Sequence, residues 1–448
     1  MPKYVCRICL AVLIMIATHY FPGFCQDTRM TFSQALKIAL DENKELRASR
    51  NNLSAQKENI GIARSQLLPK IFFEERATRT NNPPSTFMMK LNQQRFTASD
   101  FAIDSLNYPK TTNDYQTSFS FEQPVFVMKS FLGLTAAKSD FSAQNEEFTR
   151  KKEEISLNVA RAYLRTNIAR AYLKVAEKGV EDAREHARIA QVRYKNGMGL
   201  YSDCLRTGTN LIEAEQKKIT AQKEHAVAKR WLGLLLGRST PVDTADDTMP
   251  LDIRDVTYYL GASASRRDVA ALRLRHETAK TNVRIAESRY LPWVGVGGSY
   301  QYNDHSKLFG TEGDSWQVMA FLRWDLFDGL NRESERRKAQ YQMAETNEKL
   351  KGLEELVAFK IEESYLAVEE AKKNVELSLS ALKSAEEGQR LVKSRYENSL
   401  SPLVDLIDVQ LNVNRARADA VARENNYTLA IINLSYESGT ILNDLGVE

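Results

Sequence analysis

The sequence is written twice. Glu45-Leu46-Arg47-Ala48 through Ala63-Arg64-Ser65-Gln66-Leu67-Leu68-Pro69 corresponds to Asp268-Val269-Ala270-Ala271 through Ala286-Glu287-Ser288-Arg289-Tyr290-Leu291-Pro292 at an offset of 223. Tyr115–Phe126 corresponds to Trp316–Phe327 at 201, and Arg161-Ala162-Tyr163-Leu164 to Glu363-Ser364-Tyr365-Leu366 at 202. At that same 202, Arg193-Tyr194-Lys195-Asn196-Gly197 lies over Arg395-Tyr396-Glu397-Asn398-Ser399, and Ser202-Asp203 over Val404-Asp405. Leu232 to Gly237 closes the first copy and Leu434 to Gly439 the second. Such a repeat confines the chain to folds built from two equivalent units. The fall in offset from 223 to 202 places a longer loop in the first copy, and residues 81–113, with Pro83-Pro84 and much Asn, Ser and Thr, read as that loop.

Prolines are bunched. None occurs in the 116 residues between Pro124 and Pro241 or in the 109 between Pro292 and Pro402. Proline inside a helix costs about 3 kcal/mol, so these windows predict very long helices. Each copy then reads helix, strand, loop, strand, long helix, turn, helix. First helices run from about Phe32 to Leu67 and from Arg266 to Leu291, stopped by Pro69 and Pro292, since the residue before a proline resists the helical region. The long helices run from about Ser130 to Asn196 and Asn331 to Asn398, each on the order of 100 Å at 1.5 Å per residue. Return helices follow near Ser202–Leu236 and Pro402–Ser438. Val159, Ala162, Ala169, Tyr172, Ala176, Ala183, Ala187 and Ala190 recur on one side, a small-residue stripe suited to close coiled-coil packing.

Between the helices the period switches to two. Tyr115, Thr117, Phe119 and Phe121 alternate with Gln116, Ser118, Ser120 and Glu122. In the second copy Trp316, Val318, Ala320, Leu322 and Trp324 share a face. The expected strands are Lys70–Thr80, Asp114–Phe126, Trp293–Asn303 and Ser315–Phe327. About ten residues of alternation ending in aromatics is the signal of an outer-membrane strand. Four strands cannot enter lipid as an open sheet, because two edges would hold unsatisfied backbone groups. Bacterial barrels need at least about eight strands, so strands must be pooled between copies, eight from a dimer or twelve from a trimer.

The N-terminus agrees with export. Lys3 and Arg7 precede the apolar run Ile8–Ala17, with Pro22 and Gly23 before Cys25, the pattern of a secretory signal occupying residues 1–25. Two fates for Cys25 stay open, removal with the signal or lipidation. Cys6, Cys9 and Cys25 all fall in this segment, leaving Cys204 alone, so the mature chain holds no internal disulfide. The 62 Lys+Arg against 58 Asp+Glu give no basic excess of the kind that nucleic-acid binders show.

The duplicated helix–strand–strand–helix unit, the signal and two Arg-Tyr-x-x-Gly/Ser tips, each followed by an Asp-containing helix start, resemble the TolC family of outer-membrane factors. The most specific match is Ser394-Arg395-Tyr396-Glu397-Asn398-Ser399-Leu400-Ser401-Pro402-Leu403-Val404-Asp405-Leu406-Ile407-Asp408-Val409-Gln410, the second helical-hairpin tip. Arg193, Tyr194, Gly197 and Leu200, with Asp203, mark the first. The resemblance implies a mainly α fold carrying a membrane β-barrel. Antiparallel coiled-coil helices would form a trimeric α-barrel tunnel, and four strands per chain a shared 12-strand barrel. The parts would be a signal peptide (1–25), an N-terminal helix (26–69), a first β-hairpin (70–126) with its extracellular loop (81–113), and a first helical hairpin (127–237). A belt (238–264), helix (265–291), second β-hairpin (292–328), second helical hairpin (329–439) and C-terminal tail (440–448) would follow, the tail joining the belt.

The resemblance also implies a homotrimeric exit duct between outer-membrane lipid and the periplasm. A periplasmic adaptor (membrane fusion protein) would dock on the tips, around Arg193, Tyr194, Gly197, Leu200, Asp203, Arg395, Tyr396, Ser399 and Leu400. An inner-membrane pump of the RND, ABC or MFS type would supply energy, with no cofactor and no nucleic acid. Asp405 and Asp408 match the family's aperture carboxylates, and a ring of six would attract cations and repel anions. Capping is the competing account: Ser401 and Pro402 read as N-cap and N1, and acids suit a first turn. Asp203 is expected to hydrogen-bond Tyr396. Ser401 stands where some relatives carry a latch arginine, and Ser399 where the tip glycine is expected.

Other chemical signals are weak. His186, His225 and His276 read as surface helix residues, and His305 as isolated. Gly295, Gly297 and Gly298 lack the third glycine of a dinucleotide fingerprint and suit a crowded strand. Cys204 reads as a small helix residue. The competing function is a secreted coiled-coil structural protein without a pore. An envelope hydrolase would need a His/Ser/Asp or metal set that the sequence does not display.

Overall fold

The computed structural model describes residues 29–245, 252–398 and 400–447. The predicted signal at 1–25 and Ser399 lie outside these described residues. In chain order, β1 (Arg29–Met30), α1 (Phe32–Glu42) and α2 (Lys44–Ser65) precede β2 (Lys70–Thr80). Next come α3 (Pro83–Asn92), a 3-10 turn (Ala98–Phe101), α4 (Ile103–Asn107) and β3 (Thr112–Phe126). The first helical hairpin is α5 (Met128–Lys195) with α6 (Tyr201–Leu235), followed by β4 (Asp243–Thr244) and α7 (Val256–Ala262). The second copy is α8 (Arg267–Glu287), β5 (Trp293–Asp304), β6 (Gly313–Arg323), α9 (Asn331–Glu397) and α10 (Leu403–Ser438), and α11 (Ile441–Asp444) ends the chain.

Expected boundaries hold to within a few residues, with instructive exceptions. The helix predicted over Phe32–Leu67 breaks at Asn43, whose backbone turns extended at ψ 127°. Its side chain then does two jobs: Oδ1 accepts from the Leu46 amide at 2.9 Å, and Nδ2 donates to the Leu235 carbonyl at 2.7 Å. Asn43 thereby caps one helix and satisfies the end of another. The loop at 81–113 is largely helical rather than irregular. Asn82 caps α3 through the Ser85 amide, and Pro83-Pro84 occupy the first turn, where a missing N–H costs nothing.

The strand expected to reach Phe327 stops at Arg323. Arg332 pulls the following segment off the ladder by donating to the Asp325 and Leu326 carbonyls at 2.8 and 2.9 Å. Trp324 therefore leaves the face assigned to it and donates its indole N–H to the Tyr290 carbonyl at 3.1 Å.

Two compact units emerge from the contacts. The first comprises the described residues of Met1–Ala48, Lys151–Arg266 and Val357–Glu448; the second, Ser49–Arg150 and Arg267–Leu356. The first unit holds a core of Phe32, Leu36, Ile155, Val159, Tyr163, Leu232, Leu236, Ile432 and Ile441. Its last member lies in the C-terminal stretch 440–448, where Ile441 and Leu442 are buried in the core. β1 and β4 pair in parallel at its edge, so the linker expected as a belt is anchored at Asp243 and Thr244.

Asp243 is buried beside Arg170 and Lys229, whose nitrogens lie at 3.9 Å, and His225 Nε2 lies at 3.4 Å. His225 is thus half-buried rather than a surface residue, as are His186 and His276. Asp243→Ala removes a buried carboxylate that faces Arg170 and Lys229 and is expected to cost about 1–3 kcal/mol, read as a lowered midpoint in chemical denaturation.

The second unit holds the four-stranded antiparallel sheet, ordered β2-β3-β5-β6. Register fixes its faces. Phe73 pairs with Phe119, Phe119 with Tyr300 and Tyr300 with Trp316, so these four share one side. Ile71, Phe121, Val296, Val318, Ala320 and Leu322 fall on that side by alternation. The reverse side carries Ser118, Ser120, Gln116, Gln301, Ser299, Gln317 and Ser315. Glycines in β5 make room for neighbours' rings: a Cβ on Gly298 would meet Phe121 at 2.7 Å, and one on Gly295 would meet Phe321 at 2.6 Å.

Candidate functional site

The two long hairpins share one closing backbone bond at their tips. In the first, the Met198 amide donates to the Arg193 carbonyl at 2.9 Å and the Gly197 amide to the Tyr194 carbonyl at 3.0 Å, a Schellman turn with Gly197 at φ +73°. In the second, the Leu400 amide donates to the Arg395 carbonyl at 2.8 Å, the equivalent closing bond. Both tips present apolar side chains to solvent, Met198, Leu200 and Tyr201 on the first and Leu400 on the second.

The tips are locked together by Arg193. Its guanidinium sits 4.4 Å from the Tyr396 ring centroid and reaches the Tyr396 carbonyl at 3.5 Å. This contact, rather than the expected Asp203–Tyr396 hydrogen bond, joins the two copies. Burial raises the Tyr396 phenol pKa, Arg193 opposes that shift, and nearby Asp203 adds to it. Tyr396 packs with Ala190, Leu403, Leu406 and Ile407, and Cys204 lies against the same cluster. Arg193→Ala and Tyr396→Leu are expected to couple by about 1 kcal/mol in a double-mutant cycle of unfolding.

Pro402, not Ser401, is the N-cap of α10, which makes Leu403 the first helical residue and Asp405 the third. Among the described residues, no side chain caps this helix start. Leu403, Leu406, Ile407 and Gln410 are buried, whereas Asp405 and Asp408 are exposed one turn apart on the opposite face. The structure therefore brings the two carboxylates together and leaves them free of the tip core. Arg395, unlike Arg193, makes no cross-tip ring contact among the described residues.

Away from the tips, a cavity of about 830 Å³ opens between α5, α6 and α10. Tyr172, expected in the packed stripe, is exposed there, and burial lowers the pKa of His186 on its wall. His305 is not isolated: its Nδ1 contacts Glu312 at 2.5 Å in the β5–β6 turn. Sequence reasoning missed the Asp243 cluster and the helical insertion; the only signal was His225 and Lys229 four apart on one helix face.

Among the described residues, a four-stranded sheet with two unpaired edges and an aromatic face, carried with two long helical hairpins in a duplicated chain, defines the outer-membrane channel class. The chain belongs to the outer membrane efflux protein family, whose sequence profile matches residues 35–238 and 260–440. Its place is the bacterial outer membrane. The chain is 21% identical over 418 residues to outer membrane efflux protein BepC of Brucella suis, covering 87% of this chain and 83% of that one. Among solved structures, the outer membrane protein VceC of Vibrio cholerae superposes with a TM-score of 0.75 at 18% identity, over 91% of this chain and 96% of that one. The CmeC outer membrane channel of Campylobacter jejuni gives 0.77 at 15% identity, over 92% and 86%. These likenesses establish the fold.

Proposed function

We propose that three copies of this chain form a passive exit duct of a tripartite exporter. The observation that carries this is the open sheet. Among the described residues, β2 and β6 have no partner on their outer sides, yet Phe73, Trp316, Val318 and Leu322 stand exposed on one face. In hydrocarbon, bare edges cost several kcal/mol per backbone group, so β6 of one copy pairs with β2 of the next until twelve strands close. The aromatic face then meets lipid and the Ser/Gln face lines water.

The helical hairpins form the periplasmic tunnel, with the segment around β4 and α7 and the C-terminal helix as its belt. A periplasmic adaptor docks on the exposed apolar residues of the tips, and an inner-membrane pump supplies the energy. Asp405 and Asp408 from three chains ring the aperture and favour cations. Substrate passes without covalent chemistry. The test is direct: detergent-purified protein should run as a heat-modifiable trimer and give discrete conductance steps in planar bilayers. A monomer that stays in water without detergent would overturn the reading.

A further inference from the structure

The insertion between β2 and β3 is bound to one particular side of the sheet. Gln93, fully buried, donates from Nε2 to Asp114 Oδ1 at 2.7 Å and to the Asn113 carbonyl at 2.9 Å. Asn303 Nδ2 reaches the same carboxylate at 2.9 Å. Asp114, Asn303 and Gly313 share the polar face, since Asn303 pairs with Gly313 and Asp114 stands two residues from Gln116. A Cβ on Gly313 would meet the Asn92 carbonyl oxygen at 2.1 Å, so the backbone leaving α3 lies directly on that face. The segment braces itself through Phe87, Phe96 and Phe101, packed edge to face, and through a Lys90–Asp100 ion pair at 2.6 Å.

We propose that residues 83–107 form a collar inside the outer mouth of the duct, where the three copies meet and set a second constriction. This rests on the duct reading above. Lipid requires the aromatic face outward, so anything seated on the polar face is inside the cylinder. The collar sits on the last rungs, at the end where the strands turn rather than where they join the long helices. Twelve strands about 4.8 Å apart and tilted about 40° enclose roughly 24 Å across. A helix with side chains is about 10–12 Å wide, and three packed as a triangle need a circle about 22–26 Å across. Exposed Met88, Leu91, Phe101 and Ile103 are then covered by the neighbouring copies' collars.

Thr80 and Thr112 are paired, so residues 81–111 can be replaced by Asn-Gly, a two-residue turn that suits a hairpin. The shortened trimer is expected to conduct at least about threefold better than the full chain, because the narrowest point governs flow. In the full-length chain, Ile103→Cys should let a charged thiol reagent added from the outer side reduce the current stepwise, with no effect on the unsubstituted protein. This second variant decides the matter if the shortened chain fails to fold. Unchanged conductance on shortening, or no block at Ile103→Cys, overturns the collar while leaving a conducting duct. A full-length trimer that carries no current sinks the duct and the collar together.

Discussion

Val318→Arg is expected to abolish the heat-modifiable trimer, whereas Gln317→Arg one residue away leaves it intact. Val318 is 69% exposed in the single chain and shares its side with Trp316 and Leu322. An arginine on the lipid face near the bilayer midplane costs about 2–4 kcal/mol, and a closed barrel suffers it three times. Gln317 pairs with Ser299 on the polar side, where an added charge meets water. Unheated electrophoresis of membrane extracts checks the pair. The opposite pattern, with Gln317→Arg lethal to assembly and Val318→Arg silent, would invert the faces and remove the lumenal position of the collar.

Neutralising both Asp405 and Asp408 to Asn is expected to lower the preference for cations over anions by about tenfold, and to relieve any block by divalent ions. Reversal potentials in asymmetric salt measure this. Both side chains are exposed and neither joins the tip core, so folding should survive the change. Glu424→Gln, an exposed acid further along the same helix, serves as the control and should leave selectivity alone. Unchanged selectivity in the double variant would return Asp405 to a helix-start role worth about 0.3–1 kcal/mol.

The Lys90–Asp100 pair adds a pH signature to the insertion. The lysine and hydrogen bonds from Thr97 lower the Asp100 pKa from 3.8 to about 2. A depressed folded-state value means the pair stabilises fully above the ordinary carboxylate range and loses its contribution as pH falls through about 2. Proteolysis within residues 83–107 should therefore stay slow at pH 5 and should not slow further on raising the pH to 7.

Much of this architecture was legible because its signals are local. Pro69 and Pro292 stop helices wherever they occur, and alternation at Tyr115–Phe121 needs no partner to be read. What escaped depended on contacts made at a distance. Nothing near Asn43 announces that the Leu235 carbonyl will draw its side chain and break the helix. Pro83-Pro84 looked like a loop, although Asn82 turns them into a helix start. Asp243 sits in a polar linker, and Arg170, His225 and Lys229 around it come from two helices that only folding brings near. At the tips, the tyrosine was identified but its partner was not: an arginine over a ring face competes well with a hydrogen bond to a solvated carboxylate. At the second tip, Leu403, Leu406 and Ile407 recur at helical spacing and form the buried stripe that leaves Asp405 and Asp408 exposed.

The arginine lock also breaks the symmetry that the repeat sets up. Arg193 lies over Tyr396, while Tyr194 instead packs at a tilt against Tyr201 with centroids 5.5 Å apart. Six hairpin ends in a ring of three chains would thus alternate between two chemistries. In the proposed trimer, a partner docking on that rim would meet three bipartite handholds rather than six equal ones.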